Sequence, residues 1–134
     1  MTSEQMGKAF IQCEDHWIWL PGMLAQTEEG QSWRLDECDD RGGQPRATTP
    51  TEWYPDVTDP ITAWGTLELV KRAGALITKL SVLPTGCSMV VEWPHTFSRY
   101  SGISSYGGNT LAEVTLMALS DAQDRERKYN DARH

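Results

Sequence analysis

Apolar side chains recur at two different intervals along this chain, and the switches between them divide it into helical and extended segments. Between Thr2 and Asp15 the apolar residues Met6, Ala9, Phe10 and Cys13 fall three or four apart, the spacing of one buried helical face. Thr2 or Ser3 stands where a hydroxyl can cap that helix. Trp17 to Ala25 reads as extended, interrupted by Pro21-Gly22. Glu28-Glu29-Gly30 then supplies a turn and Ser32 to Cys38 an antiparallel return, a hairpin with Trp19 and Trp33 as cross-strand neighbours. Residues 39 to 57 carry neither period. Gly42, Gly43, Pro45, Pro50 and Pro55 exclude a regular element there, and Trp53 and Tyr54 are placed to pin its end to the body.

The second helix has both of its ends written in the sequence. Thr58 or Asp59 is the cap, Pro60 occupies the first turn where no amide partner is lost, and Gly74 ends it. Ile61, Trp64, Leu67 and Val70 form its expected apolar stripe, with Glu68 able to pair with Lys71 or Arg72 outside. Ala75 to Val82 alternates, placing Leu76, Thr78, Leu80 and Val82 on one side. Pro84-Thr85-Gly86 reverses the chain, and Cys87, Met89, Val91 and Trp93 face inward on the returning strand. Residues 93–108 read as a long loop. The last helix starts at Asn109 or Thr110, where Thr110 and Glu113 have capping-box spacing and Leu111, Val114, Leu116, Ala118 and Leu119 form the buried face. Beyond Ser120 the residues are polar and charged, which predicts a solvated helical extension or a frayed tail over 121–134. The predicted order is α-β-β-α-β-β-α. It gives one α+β domain over residues 1–134, an antiparallel sheet of two hairpins with helices on one face.

Composition adds two constraints. The 134 residues suffice for one core, and six tryptophans spread through nearly every predicted element mostly serve it. The net charge of −7 argues against nucleic acid or anionic membrane as a direct ligand, because neutralising phosphates takes clustered Lys and Arg. It suits a partner with a basic surface. The three cysteines are odd in number and widely spaced, the amino terminus lacks a basic start followed by an apolar run, and no stretch has the apolar length of a membrane span. These features predict a reduced, cytoplasmic protein.

Searching for reactive chemistry returns little. Cys13-x-x-His16 is half of a zinc pair with no second half, so neither metal nor cofactor is expected. Cys87 and His95 are separated by a strand's length, about 20 Å. No nucleophile elbow or phosphate-binding glycine pattern occurs, and Glu113 would repel a phosphate at the last helix start. No catalytic residue is therefore assigned. The two segments longer than folding requires have contact-surface chemistry instead. One presents Trp93, His95, Phe97, Arg99, Tyr100 and Tyr106 among Ser and Gly; the other presents Asp36, Glu37, Asp39 and Asp40.

The segments Trp17 to Leu24 (WIWLPGML), Pro55 to Thr62 (PDVTDPIT) with Leu67 and Val70-Lys71-Arg72, and Gly108 to Glu113 together resemble a diffuse group of small uncharacterised bacteriophage and prophage reading frames. The last segment departs from that pattern in having Leu111-Ala112 directly after Thr110. The resemblance spans about two thirds of the chain. It implies a phage protein in the cytoplasm of an infected bacterium, and among such acidic proteins it points to host-defence inhibitors, including anti-CRISPR proteins. The expected function is non-enzymatic binding, as monomer or homodimer, to a host protein or nucleoprotein complex with a basic surface, blocking nucleic-acid binding or a subunit contact. Two alternatives stand beside it. One is a phage accessory or assembly protein that self-associates through the Trp-rich hairpin. The other is a small enzyme modifying a host protein, with His95, Arg99, Glu92 and Glu113 as its polar groups.

Overall fold

A computed structural model describes residues 1–35, 53–94 and 102–132, with the side chains of 129–132 excepted. Three helices alternate with two groups of three strands. Helix α1 (Ser3–Gln12) is followed by β1 (Leu24–Gln26), β2 (Ser32–Arg34) and β3 (Tyr54–Pro55). Helix α2 (Pro60–Arg72) leads into β4 (Leu76–Leu83), β5 (Gly86–Glu92) and β6 (Ile103–Gly108), and α3 (Leu111–Ala132) completes the order. The class is α+β, as expected, but the hairpins belong to two separate antiparallel sheets, β2-β1-β3 and β4-β5-β6. Each contains a strand the apolar pattern does not reveal.

Helix α1 begins as its sequence predicts. Gln5 N–H donates to Thr2 Oγ1 at 3.1 Å and Thr2 N–H to Gln5 Oε1 at 2.8 Å, a reciprocal cap. Met6, Phe10 and Cys13 are buried. Gly7 lies directly on β3, where a Cβ would stand 2.4 Å from the Pro55 carbonyl oxygen. The helix stops short of Asp15 because a turn closes with Trp17 N–H on Cys13 O at 2.8 Å. That turn sets Trp17 against Phe10, ring centres 5.9 Å apart, and edge-on to Trp19 at 5.3 Å. Trp19 is thereby in the core, and strand β1 starts only at Leu24. The expected Trp19–Trp33 pair does not form: Trp33 lies opposite Ala25 and is 47% exposed.

Helix α2 shows how a stripe can be misread. Leu67 and Val70 are buried as predicted, but Ile61 and Trp64 are 56% and 52% exposed. Thr62 and Thr66 are buried in their stead, with Leu69 and Ala73. The threonines tolerate burial because their hydroxyls are satisfied locally. Thr66 Oγ1 donates to Ala63 O at 2.5 Å and lies 2.8 Å from Thr115 Oγ1 of α3. Thr62 Oγ1 lies 2.9 Å from Asp59 Oδ2 and accepts the Leu24 amide at 2.8 Å. Small β-branched side chains let α2 approach α3 and β1 closely.

Asp59 sits where these parts meet. It caps α2 through Thr62 N–H at 3.0 Å and receives both arms of the Arg34 guanidinium, at 2.6 and 2.9 Å. One carboxylate thus joins the β2 edge of the first sheet to the start of α2. Bonding to Arg34 pulls its pKa from 3.8 to about 2, with the Thr62 amide and hydroxyl adding to the effect against partial desolvation.

In the second sheet Cys87, Met89, Val91 and Trp93 are all buried, as the alternation predicts. Helix α3 packs on this face and also on α2 and α1, burying Leu111, Ala112, Val114, Leu116, Ala118, Leu119 and Ala122 among them. Its 22 residues continue as helix far beyond Ser120. Strand β6 occupies part of the segment expected to be loop, pairing Ile103 with Glu92 through to Gly108 with Cys87. Ser and Gly have weak strand preference, so the pairing with β5, rather than propensity, makes it a strand. In β4 a register shift between Ile77 and Lys79 breaks the alternation. Leu76 therefore shares the outer face with Glu92, instead of pointing inward with Leu80.

The Asp59 linkage has a defined sign. A carboxylate with a lowered folded pKa contributes stability above its unfolded value, here 3.8, and loses that contribution as pH falls through about 2. Asp59→Ala should cost about 2 kcal/mol at neutral pH, combining a lost cap with a lost charge-assisted fork. Chemical denaturation of parent and variant from pH 7 to 2 checks this, the difference between them shrinking at the acid end.

Candidate functional site

The outer face of β4-β5-β6 is a layer that no helix covers among the described residues. Leu76, Glu92 and Ile103 form one cross-strand row there, each contributed by a different strand. Leu76 is 60% and Ile103 74% exposed, and Glu92 is exposed between them. The rows beyond are small or neutral apart from one lysine: Lys79, Val90 and Ser105, then Ser81, Ser88 and Gly107. This is a surface of mostly short side chains with two large apolar side chains and one carboxylate at one end.

At that end the row opens into a groove of about 360 Å³ lined by Gly74, Leu76, Glu92, Trp93, Pro94, Gly102 and Ile103. Gly74 forms one wall because it ends α2 in a left-handed conformation, φ 104°, with its amide on Lys71 O at 2.9 Å. Trp93 N–H donates to Gly102 O at 3.1 Å, which draws the two sides of the floor together.

Beneath the floor is a polar cluster that the sequence reading did not anticipate. Trp93 Nε1–H donates to Tyr106 Oη at 3.1 Å, and Tyr106 O–H donates to Asp121 Oδ2 at 2.5 Å. Arg125 Nε bonds Asp121 Oδ1 at 3.2 Å and its Nη2 bonds Ser104 Oγ at 3.0 Å, while the guanidinium lies 5.9 Å from the Trp93 ring centre. The cluster ties β5, β6 and α3 into one unit. Burial first, then donation to the Asp121 carboxylate, push the Tyr106 phenol up to about 12.

These contacts correct two site expectations. Trp93 is 1% exposed and is a core residue whose polar atom is used internally. Tyr106 is partly buried, and its hydroxyl is committed to Trp93 and Asp121. The Trp93 ring presents no surface to a partner, and the Tyr106 ring keeps only part of its surface exposed. His95, Phe97, Arg99, Tyr100, Asp36, Glu37, Asp39 and Asp40 lie outside the described residues. Cys38 does as well.

Other candidate chemistry takes definite positions. Cys13 and Cys87 are free and buried, and desolvation raises both thiols above their usual pKa, the reverse of what activates a nucleophile. Cys13 Sγ lies 3.6 Å from Ala9 O, while His16 Nε2 sits 3.0 Å from Glu126 Oε2 on α3. Among the described residues no three His, Cys, Asp or Glu side chains gather as metal ligands, and no helix is long and apolar enough to cross a membrane. The α3 N-terminus is occupied by the chain itself. Glu113 Oε2 accepts the Asn109 amide at 2.7 Å, and Glu113 N–H donates to Thr110 Oγ1 at 3.2 Å. This is the predicted cap moved back by one residue on its carboxylate side.

Tyr106→Phe should cost about 1–2 kcal/mol, since both Trp93 Nε1 and Asp121 lose a partner in a partly buried site. A phenol with a raised pKa stabilises the fold fully below its unfolded value near 10 and progressively less as pH climbs towards about 12. Denaturation midpoints from pH 8 to 12 should therefore converge for parent and variant.

Comparison with known proteins returns no matching family model, no matching curated protein and no matching solved structure.

Proposed function

We propose that this chain is a non-enzymatic binding protein that docks onto a host protein through the open face of β4-β5-β6. The observation that carries the reading is the row Leu76–Glu92–Ile103. Two well-exposed apolar side chains bracket a carboxylate beside a groove, on a rigid sheet backed by a packed helix. Burying such apolar groups is favourable, and the carboxylate selects a partner that brings an arginine or lysine between apolar neighbours. The net charge of −7 extends that preference over the whole surface and speeds encounter with a basic one.

The finer reading is a phage-encoded inhibitor of a host antiviral complex of the CRISPR-Cas type, which blocks nucleic-acid binding or a subunit contact. The phage-like segments at 17–24, 55–62 and 108–113 support it, and so does the charge. A negative surface can take the place of the phosphates that a basic channel is built to bind.

Affinity capture from a bacterial lysate containing an antiviral nucleoprotein complex, followed by titration of the captured complex, tests both levels. The expected result is a fixed-stoichiometry complex that weakens as salt rises. Changing Glu92→Lys and Ile103→Ser together should weaken binding at least about tenfold, because both side chains are exposed and central to the row. Their exposure also leaves the thermal transition unchanged. Equal capture by that variant would overturn the site, and substoichiometric action on the target would overturn the non-enzymatic reading.

A further inference from the structure

Among the described residues strand β4 is an outer strand of its sheet, paired on one side only, with β5. Its other side is a row of backbone donors and acceptors flanked by the exposed side chains of Leu76, Val82 and Leu83. The strand reads LITKLSVL, nearly the same from either end: Leu matches Leu, Ile matches Val, and Thr matches Ser. In a regular strand such matches would fall on opposite faces and be useless for pairing, because positions 76 and 83 differ by an odd number. The register shift between Ile77 and Lys79 removes that conflict. Opposite β5, Leu76, Lys79, Ser81 and Leu83 share the outer face, while Ile77, Leu80 and Val82 share the opposite one, which α3 packs against at β5 and β6.

We propose that this edge recognises itself: two copies of the chain pair antiparallel through β4, about a two-fold axis at Leu80, joining two three-stranded sheets into one. In that register Leu76 lies opposite Leu83 of the second copy, Ile77 opposite Val82, and Leu80 opposite Leu80. Thr78 and Lys79 together oppose Ser81. Every opposed pair then shares a face, as antiparallel pairing requires. A bulge and a central lysine ordinarily protect an edge against foreign strands. Here both are compatible with a copy of the same strand. The two-for-one step meets a small serine, and each lysine sits beside a serine, diagonal from its twin. The device admits this sequence and rejects regular ones.

The association concerns the isolated chain and needs no other protein, so its failure would leave the docking reading untouched. It also has the opposite salt dependence. Two bodies of charge −7 repel, and screening strengthens their pairing.

Sedimentation velocity of the full chain, from low micromolar to sub-millimolar concentration at low and moderate salt, should show a monomer–dimer equilibrium favoured by salt. Leu76→Glu with Leu83→Glu sets like charges opposite each other at both ends of the ladder and should weaken the dimer more than about tenfold. Leu76→Glu with Leu83→Lys sets opposite charges there and should recover most of the loss. Both positions are exposed, so both variants keep the parent's circular dichroism. Amide exchange of the unmodified chain supplies a reading that depends on no variant: β4 amides gain protection with concentration and β6 amides do not. A parent that stays monomeric overturns the proposal. So does a doubly acidic variant that dimerises like the parent, a charge-swapped variant no tighter than the doubly acidic one, or β4 protection independent of concentration.

Discussion

The hydroxyl of Tyr106, shared between Trp93 and Asp121, is the contact on which the second sheet depends. Strand β6 is made of Ile, Ser, Ser, Tyr, Gly and Gly, and turns only Ser104, Tyr106 and Gly108 towards α3. It therefore has one large side chain with which to hold its place. A buried phenol without partners would be a liability in a low-dielectric interior. Bonded to an indole N–H on one side and a carboxylate on the other, it becomes an anchor, and Arg125 completes the set by bonding both Asp121 and Ser104.

The outer surface follows from that anchor. With β6 held against β5, Ile103 stands in line with Glu92 and Leu76, and the groove beside Gly74 and Pro94 has its far wall. Interior chemistry thus fixes the placement of exterior side chains. The first sheet is held by a comparable economy at Asp59, where one carboxylate serves as helix cap and as acceptor for Arg34. A short strand pair such as β1–β2 gains little from its own ladder, and the fork to α2 compensates. Both junctions place charged or polar groups where several elements converge.

Among the described residues one sheet face and one strand edge are left uncovered, and they differ in kind. The outer face of the second sheet exposes side chains, two of them large and apolar, with one carboxylate and one lysine. The edge of β4 offers backbone, with a sequence that matches itself. An interface on the face and a pairing at the edge engage different atoms, apart from Leu76 at their shared corner. A doubled sheet would present two copies of the same docking row on one continuous layer, which raises the effective concentration of the second contact once the first is made.

Local chemistry carried a good part of this fold. Pro60 and Gly74 bound α2, Thr2 and Thr110 start their helices, and the alternation of Cys87, Met89, Val91 and Trp93 finds its buried face, because caps, turns and short-period patterns act over a few residues. What depends on distant partners was not legible there. Strand β6 exists because β5 offers it a ladder, and nothing in a run of serine and glycine announces that. Thr62 and Thr66 replace Ile61 and Trp64 in the core because the Asp59 carboxylate accepts the Thr62 hydroxyl and Thr66 Oγ1 meets Thr115 Oγ1 of α3 at 2.8 Å. Leu76 turns outward because one residue is inserted into the β4 ladder. By itself the sequence determined which segments are helices, where they start, and that the surface is negative. Only the tertiary structure decided which rings are sealed inside and which apolar residues meet water, since burial is settled between elements far apart in the chain.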